Sequence, residues 1–197
     1  MSIAVALVAA YLLGSIPFSL LAGRLSGVDL RTVGSGNLGA TNVFRTLGRS
    51  AGIAVMALDI GKGTAAVLIA RALTPNPWPL AAAALAILGH VFPVWTRFKG
   101  GKGVAVAAGT LIGLAPLTIG VLVGLWLVLV LTTRYVSLAS VVCALVVTPL
   151  AALLGEPWSY VVFVGLAALL VLVRHRENIL RLLRGQENRI SLGRGRE

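Results

Sequence analysis

A glycine-rich polar stretch, 34–42 with the sequence GSGNLGATN, is followed by Arg45. Glycines let the backbone approach a ligand closely, and exposed N–H groups can cradle an anion. The planar guanidinium of arginine suits phosphate or carboxylate. The stretch therefore predicts an anion-binding loop, and the alternative is a solvated interfacial loop with helix caps.

The glycines at 34, 36 and 39 also match the spacing of a dinucleotide-binding loop. That motif requires a preceding strand and a surrounding βαβ unit. Long apolar segments surround it here, so the dinucleotide interpretation is rejected and no cofactor is expected.

Two opposite charges, Asp59 and Lys62, lie within an apolar segment. A charge inside a membrane costs about 2.5–3.5 kcal/mol on insertion scales. Their three-residue spacing places them on one helix face, where they can pair. They form either a structural ion pair or a site in which Lys62 faces a polar cavity and Asp59 orients it.

A third polar cluster combines His90 with the stretch 98–103, FKGGKG, which directly precedes an apolar segment. Cations and glycines at a helix N-terminus favour phosphate binding. The alternative is a basic anchor on the cytoplasmic side, and a lone histidine is more typical of the interior. The spacing of glycines and lysines does not match a Walker A loop.

The fourth cluster lies in the C-terminal segment 174–184, where arginines and leucines alternate irregularly. This pattern predicts an amphipathic helix on anionic lipid. His175 and Asn178 share one face of it, and the alternative is a lipid-binding helix with no catalytic part. Residues 191–197 are predicted to be disordered.

These clusters must be positioned by membrane helices. The 197 residues are 58% hydrophobic and 12% charged, with a net charge of +11, whereas soluble domains carry about 25% charged residues. The composition excludes an ordinary soluble enzyme and predicts an all-α integral membrane protein. Cys143 has no partner for an internal disulfide, and no Cys/His cluster suggests a metal site.

Apolar runs of about 20 residues predict the spans: 3–23, 52–72, 78–96, 104–131, 137–154 and 158–173. The run 104–131 would be about 42 Å long as one helix, too long without strong tilt. Gly113 and Pro116 allow a break, which would make seven spans. We expect one domain over 1–190, with 24–50 as a structured loop.

The distribution of Lys and Arg distinguishes six spans from seven, because cytoplasmic loops collect basic residues. Seven spans with the N-terminus outside place fifteen basic residues in cytoplasmic segments and only Arg71 outside. Six spans place seven inside and nine outside. The charges therefore predict seven transmembrane helices, a cytoplasmic C-terminus and polar clusters that mostly face the cytoplasm.

The ordered motifs carry a family resemblance: GSIP at 14–17, GSGNLGATN at 34–42, DIGKG at 59–63, GHVFP at 89–93, FKGGKG at 98–103, RYVSLAS at 134–140 and RHREN at 174–178. Over nearly the whole chain, this set resembles the bacterial acyl-phosphate-dependent glycerol-3-phosphate acyltransferases. The resemblance implies acyl transfer from acyl phosphate to the 1-hydroxyl of sn-glycerol 3-phosphate. The products would be lysophosphatidic acid and inorganic phosphate, in the first acylation of bacterial phospholipid synthesis.

The resemblance also implies site residues. The predicted catalytic residues are Ser35, Arg45, Lys102, His175 and Asn178. The predicted substrate-binding residues are Gly36, Asn37, Thr41, Asn42, Asp59, Lys62, His90, Lys99, Gly100, Gly101, Ser137 and Ser140. We expect a multi-pass protein of the bacterial inner membrane with a cytoplasmic active site, lipid contact, no nucleic acid, and a functional link to an acyl-phosphate synthase.

An acyl phosphate is already activated, so the enzyme needs mainly positioning and charge neutralisation. We expect direct attack by the glycerol hydroxyl, with its proton passing to a substrate phosphate oxygen or to His175. A small membrane anion transporter is the alternative function, because broken helices and intramembrane cations fit one. The one-sided distribution of charge favours the enzyme.

Overall fold

The computed structural model describes residues 2–191, which are helical and contain no strand. The α-helices are α1 (Ile3–Ser15), α2 (Phe18–Leu25), α3 (Ala40–Thr46), α4 (Arg49–Leu73), α5 (Trp78–Val91), α6 (Val104–Leu114), α7 (Pro116–Thr133), α8 (Val136–Leu153), α9 (Trp158–Arg174) and α10 (Arg176–Leu183). A 3-10 turn covers Val94–Thr96. Of the predicted disordered end, 192–197 lie outside the described residues.

Five segments are long and apolar enough to cross a membrane: Ile3–Leu25, Arg49–Leu73, Trp78–Thr96, Pro116–Thr133 and Val136–Leu153. A sixth is present if α9 and α10, which meet at a bend of 61°, form one span. The prediction of an all-helical integral membrane protein is confirmed, with five to six candidate spans in the described part.

Two prolines interrupt apolar runs. Pro116 begins α7 after a break at Ala115, so the predicted break within 104–131 is confirmed. Proline is favoured at the first helical position because its missing N–H has no partner there anyway. Pro17 separates α1 from α2, a break that the predicted span 3–23 did not include. The predicted loop 24–50 also contains a short helix, α3.

The chain divides into two compact units, one ending at Leu114 and the other beginning at Ala115. The prediction of a single domain stays a prediction. In the first unit, small residues let helix backbones approach closely. A methyl group at Gly89 of α5 would collide with the Tyr11 carbonyl of α1, and one at Gly109 of α6 would collide with the Ile60 carbonyl of α4. These close contacts hold together the helices that carry three of the polar clusters.

A local core supports the polar loop between α2 and α3. Its buried members are Leu20, Leu30, Leu38, Val43 and Val55. The buried hydroxyl of Ser19 donates to the Leu38 carbonyl at 2.8 Å. The loop is therefore anchored to α2 and α4 by apolar side chains on both sides of its glycines.

In the second unit, α8 packs against α7 and α9, and α10 contacts both α8 and α9. Gly185 has a left-handed backbone (φ 67°) and reverses the chain after α10. The returning segment 186–190 ends with the Ile190 N–H donating to the Arg134 carbonyl at 2.9 Å. This hydrogen bond ties the end of the described chain to the connection between α7 and α8.

Candidate active site

Asn42 organises the glycine-rich loop from within. Its buried side chain accepts from the Ser35 N–H at 2.9 Å and donates to the Leu30 and Val33 carbonyls at 3.1 and 3.2 Å. These bonds use the amide oxygen and both amide hydrogens. The contacts therefore give Asn42 a positioning role in a loop that the sequence predicts to bind substrate.

The loop conformation requires glycine at two positions. Gly34 and Gly36 have φ of 62° and 66°, and a methyl group on Gly34 would collide with the Asn42 side chain. Ser35 between them is exposed, and Asn37 and Thr41 are half-buried. Predicted binding groups thus lie on the outer side of the loop. The half-buried Arg45 follows on α3.

Asp59, Lys62 and His90 form a buried polar cluster. Lys62 Nζ lies 2.7 Å from Asp59 Oδ1, and His90 Nδ1 lies 3.6 Å from the same oxygen. The ammonium also donates to the Ile16 carbonyl at 2.8 Å and lies 5.4 Å from the centre of the Phe18 ring. The structural ion pair considered from the sequence is present.

The same cluster lines a small cavity, and the alternative interpretation, in which Lys62 faces a polar cavity and Asp59 orients it, stays a prediction. Asp59, Lys62, His90 and Ser15 all line it. The Ser15 hydroxyl is buried, and it has no hydrogen-bond partner within 2–191. Ser15 belongs to the GSIP motif at 14–17 but is not among the predicted site residues. Its proximity to the cluster depends on the close packing of α1 against α5.

His90 and its helix, α5, position the glycine-containing stretch 98–103. The Gly101 N–H donates to the His90 carbonyl and the Gly100 N–H to the Val91 carbonyl, both at 3.1 Å. A methyl group on Gly101 would collide with the His90 ring. Gly100 and Gly101 are buried, whereas Lys99 is exposed and Lys102 is half-buried just before α6. The cluster thus connects a buried ion pair to a lysine at a helix N-terminus.

In the second unit, His175 lies at the bend between α9 and α10 and is 3% exposed. Its Nδ1 is 2.8 Å from the Val171 carbonyl. A carbonyl oxygen can only accept, so the proton is assigned to Nδ1. In the neutral ring, Nε2 is then the atom able to accept a proton.

Asn178, one turn along α10, is also buried, and its Nδ2 donates to Glu187 Oε1 at 3.0 Å. Arg181 Nε donates to the other carboxylate oxygen of Glu187 at 2.8 Å. Asn178 is a predicted site residue, whereas Glu187 is not among the residues that the sequence indicated. A possible signal was that an acidic residue follows a glycine turn in an otherwise strongly basic segment.

Ser137 and Ser140 lie in the first turns of α8 and are both buried. The Ser140 hydroxyl donates to the Val136 carbonyl at 2.8 Å and accepts from Trp126 Nε1 at 3.4 Å. The Ser137 hydroxyl has no hydrogen-bond partner in the described part of the chain. Within the described residues its hydrogen-bonding capacity is unused, whereas that of Ser140 is used in part.

The predicted site residues divide between the two units. Those from Ser35 to Lys102 lie in the first unit, and Ser137, Ser140, His175 and Asn178 lie in the second. Within 2–191, no group of three or more His, Cys, Asp or Glu side chains could hold a metal ion.

Comparison with known proteins identifies the chemistry. The family model for glycerol-3-phosphate acyltransferase matches residues 4–185. A glycerol-3-phosphate acyltransferase of Rubrobacter xylanophilus is 52% identical, with 91% of this chain and 90% of the relative covered. One of Geobacter sulfurreducens is 48% identical, with 91% and 93% covered.

Solved structures agree with the sequence relatives. The crystal structure of PlsY (YgiH), an integral membrane glycerol 3-phosphate acyltransferase, matches in its glycerol 3-phosphate form with a TM-score of 0.92 and 40% identity. It covers 97% of this chain and 96% of that one. The lysophosphatidic acid form matches with a TM-score of 0.89, 39% identity and the same coverage.

A multi-pass helical fold with glycine-rich polar loops, matched over nearly its full length by membrane enzymes of one activity, defines an integral membrane acyltransferase. The chain belongs to the glycerol-3-phosphate acyltransferase family. It uses acyl phosphate as donor and forms lysophosphatidic acid in phospholipid synthesis. The expectation from the resemblance is confirmed, and the transporter alternative is set aside.

Proposed function

We propose that the acyl group passes directly from acyl phosphate to the 1-hydroxyl of sn-glycerol 3-phosphate. The hydroxyl oxygen forms the new ester bond with the acyl carbon, and the bond from that carbon to the phosphate oxygen breaks. Inorganic phosphate leaves, and the hydroxyl proton passes to a phosphate oxygen or to His175. The reaction includes no covalent acyl-enzyme.

The geometry of His175 is the observation that carries this proposal. Its Nδ1–H is committed to the Val171 carbonyl at 2.8 Å, which leaves Nε2 as the acceptor nitrogen of the neutral ring. The Ser140 hydroxyl donates to Val136, and the Cys143 thiol contacts the Leu122 carbonyl at 3.6 Å. Neither group is arranged as a nucleophile activated by a histidine base.

A trapping experiment tests direct attack. Purified enzyme in lipid is given palmitoyl phosphate without acceptor, then denatured and separated from unreacted donor, which would itself react with hydroxylamine. The protein is then treated with hydroxylamine, which releases an acyl group from an ester or thioester. We expect phosphate release only when glycerol 3-phosphate is added, with lysophosphatidic acid formed in equal amount. Palmitoyl hydroxamate recovered from the protein in proportion to enzyme would overturn direct attack.

We assign the substrate groups as follows. Ser35, Gly36, Asn37 and Thr41 bind the acyl phosphate headgroup, with Asn42 holding their loop. Arg45, Lys102, His175 and Asn178 bind glycerol 3-phosphate. Asp59, Lys62 and His90 orient the glycine stretch, Gly100 and Gly101 hold its backbone against α5 beside the substrate phosphate, and Lys99, Ser137 and Ser140 contribute further phosphate contacts. The exposed Ser35 and the hydrogen bonds from Gly100 and Gly101 to α5 support this assignment.

Replacement of the basic residues tests the assignment. Arg45→Ala and Lys102→Ala each remove a charge-assisted contact, so kcat/KM should fall roughly 30- to 1000-fold. Phosphate release with both substrates at saturation and below KM measures the change. Arg31→Gln is the control, because Arg31 pairs with Asp29 on an exposed surface. Near-normal turnover of either alanine variant would show that the replaced residue does not belong to the site.

We further propose seven spans, with the N-terminus outside and the active site on the cytoplasmic face of the bacterial inner membrane. The separate apolar helices α6 and α7, and the 17-residue α9, support this number. At about 16 Å, α6 is too short to cross a flat hydrocarbon core alone, so the bilayer must thin beside it or the helix must lie among its neighbours. An enzyme that makes acyl phosphate must supply the donor.

A further inference from the structure

A closed loop, 92–99, follows α5. It begins after Val91 and returns to the same place, because the Gly100 N–H donates to the Val91 carbonyl at 3.1 Å. Val91 and Gly100 are buried, whereas most of the loop between them is exposed. The apolar span Trp78–Thr96 ends within this loop. In an integral membrane protein, the end of a span lies where the hydrocarbon core meets the lipid headgroups.

The loop has a fixed shape that includes two consecutive left-handed residues. Arg97 and Phe98 have φ of 52° and 61°, which is uncommon and unfavourable for residues other than glycine. The Phe98 N–H donates to the Pro93 carbonyl at 3.0 Å. The Thr96 hydroxyl donates to the Lys99 carbonyl at 2.8 Å, and the Lys99 N–H donates to the Thr96 carbonyl at 3.2 Å. These hydrogen bonds hold the unfavourable backbone in place.

The fixed shape exposes apolar side chains together with a cation. Trp95 is 62% exposed and Phe98 is 60% exposed. Val94 and Arg97 are exposed as well. An exposed apolar patch of this kind indicates an interaction surface. Aromatic rings beside a long basic side chain are typical of the membrane interface, where the rings meet lipid and the cation meets phosphate.

We propose that the loop 92–99 docks on the anionic headgroup layer of the bilayer. Trp95 and Phe98 enter the boundary between headgroups and acyl chains, and Arg97 contacts a lipid phosphate. The patch is continuous with the span that ends in it, so lipid already surrounds its neighbours. The net charge of +11 is complementary to an anionic surface. Both observations favour lipid over a soluble protein partner.

Docking of the loop fixes the depth of the residues that follow it. Gly100 and Gly101 are tied to the end of α5 by backbone hydrogen bonds, and Lys102 comes just before α6. A loop held at the headgroups therefore keeps Lys102 at the depth where acyl phosphate dissolved in the bilayer presents its reactive carbonyl. This effect on turnover rests on the proposed function, which assigns Lys102 to glycerol 3-phosphate, whereas the lipid contact does not.

Spin labelling measures the lipid contact without reference to activity. Val94→Cys in a Cys143→Ala background carries a nitroxide, and its accessibility to oxygen and to a water-soluble nickel complex gives its depth in bilayers that contain phosphatidylglycerol. We expect a depth at the boundary between headgroups and acyl chains. Asp29→Cys, at an exposed polar turn, is the control and should be accessible to the nickel complex.

Two results of the labelling would overturn the inference. Equal nickel accessibility of the two labelled positions would mean that the loop lies in water. Protection of the Val94→Cys label from both reagents would mean that protein covers the loop, either a second copy of the chain or another partner.

A lipid titration measures the effect on turnover. Phosphate release at fixed substrate concentrations is followed while phosphatidylglycerol replaces phosphatidylcholine in steps. Arg97→Asn removes the charge but keeps a residue that tolerates the left-handed backbone. The phosphatidylglycerol fraction that gives half-maximal activity should rise up to about fivefold, since one basic residue at an anionic surface has an effect of this size. The maximal activity should not change. Phe98→Asn, which removes the ring, should shift the fraction in the same direction.

Arg31→Gln is the matched control, because it removes an exposed arginine that Asp29 already neutralises at 2.8 Å. It should keep the half-maximal fraction of the parent enzyme. Parent activity that does not respond to phosphatidylglycerol, or an equal shift in Arg97→Asn and Arg31→Gln, would overturn the inference. Reduced activity of Arg97→Asn at every lipid composition would indicate a structural role and would also overturn it. Near-normal turnover of Lys102→Ala would overturn the effect on turnover through Lys102, and the spin label would still decide the lipid contact.

Discussion

At the scale of single residues, the Asp59–Lys62 ion pair places two charges in the interior and also fixes how two helices pack. Both side chains are almost fully buried, and their atoms lie 2.7 Å apart. Burial of either charge alone is costly, whereas the pair, completed by the Ile16 carbonyl, is tolerated. The pair therefore ties α4 to the end of α1 and stands beside the helix that positions Gly100 and Gly101.

Breaking this pair should destabilise the protein strongly. Asp59→Asn or Lys62→Met leaves an uncompensated buried charge, so each should lower the free energy of unfolding by about 3–5 kcal/mol. The double variant should lose much less free energy of unfolding than the sum of the losses in the two single variants. Unfolding in detergent measures these values. Asp29→Asn, an exposed carboxylate, is the control, and additive losses in the double variant would contradict the pairing.

The exposed Asp29 offers a pH test of the loop geometry. Arg31 donates to its carboxylate from both the side chain and the backbone, which lowers the pKa of Asp29 to about 2. Because the folded pKa is below the unfolded value, the pair stabilises the fold above pH 3.8, and this contribution is lost as pH falls through about 2. The effect on unfolding should be small, since both groups are exposed. In an NMR titration, Arg31→Gln should raise the pKa of Asp29, and an unchanged pKa would contradict the contact.

At the scale of elements, glycines decide how closely the helices approach. Gly109 of α6 lies against the Ile60 carbonyl of α4, and Gly101 lies against the His90 ring. In the membrane, such close packing substitutes for the hydrophobic effect as a force between helices. The position of α6, and of Lys102 before it, therefore depends on the fact that glycine has no side chain at these two contacts.

A pair of glycine replacements tests this packing. In Gly109→Ala the new methyl group meets α4 backbone, so α6 must shift and the stability should fall by about 1–3 kcal/mol. Acyltransferase activity should fall with it, because Lys102 moves. Gly124 of α7 has open space around it, and Gly124→Ala should preserve stability and activity. Thermal unfolding and phosphate release measure both variants, and equal behaviour of the two would contradict the packing argument.

At the scale of the whole molecule, the number of spans determines where the chain ends lie. An odd number places the two ends on opposite sides of the membrane, and an even number places them on the same side. The structure has five to six candidate spans in its described part and a short α6. Labelling of the two chain ends therefore tests whether the number of spans is odd or even. The basic residues favour the odd number.

Cysteine labelling measures the sidedness. In a Cys143→Ala background, Ser2→Cys and Arg184→Cys should react with an impermeant maleimide from opposite sides of oriented vesicles. Pro75→Cys, in the connection between α4 and α5, is the control and should react from the same side as Ser2→Cys. Labelling of Ser2→Cys and Arg184→Cys from the same side would contradict seven spans.

The amino-acid sequence by itself determined the membrane class, the break before Pro116 and the positions of the polar clusters. Hydropathy, proline and charge act locally along a chain, so these features can be inferred without tertiary contacts. The ordered motifs also sufficed for the family and the reaction. Spacing along one helix predicted that Asp59 and Lys62 could pair.

Only the tertiary structure decided which partners the polar side chains have. Asn42 turns inward to hold its loop, Lys62 reaches the Ile16 carbonyl, and Glu187 folds back onto Asn178. These contacts join residues that lie as many as 46 positions apart. Their formation depends on how closely helices pack and where the chain reverses, because a buried polar group takes whichever partner the surrounding packing brings within hydrogen-bonding distance.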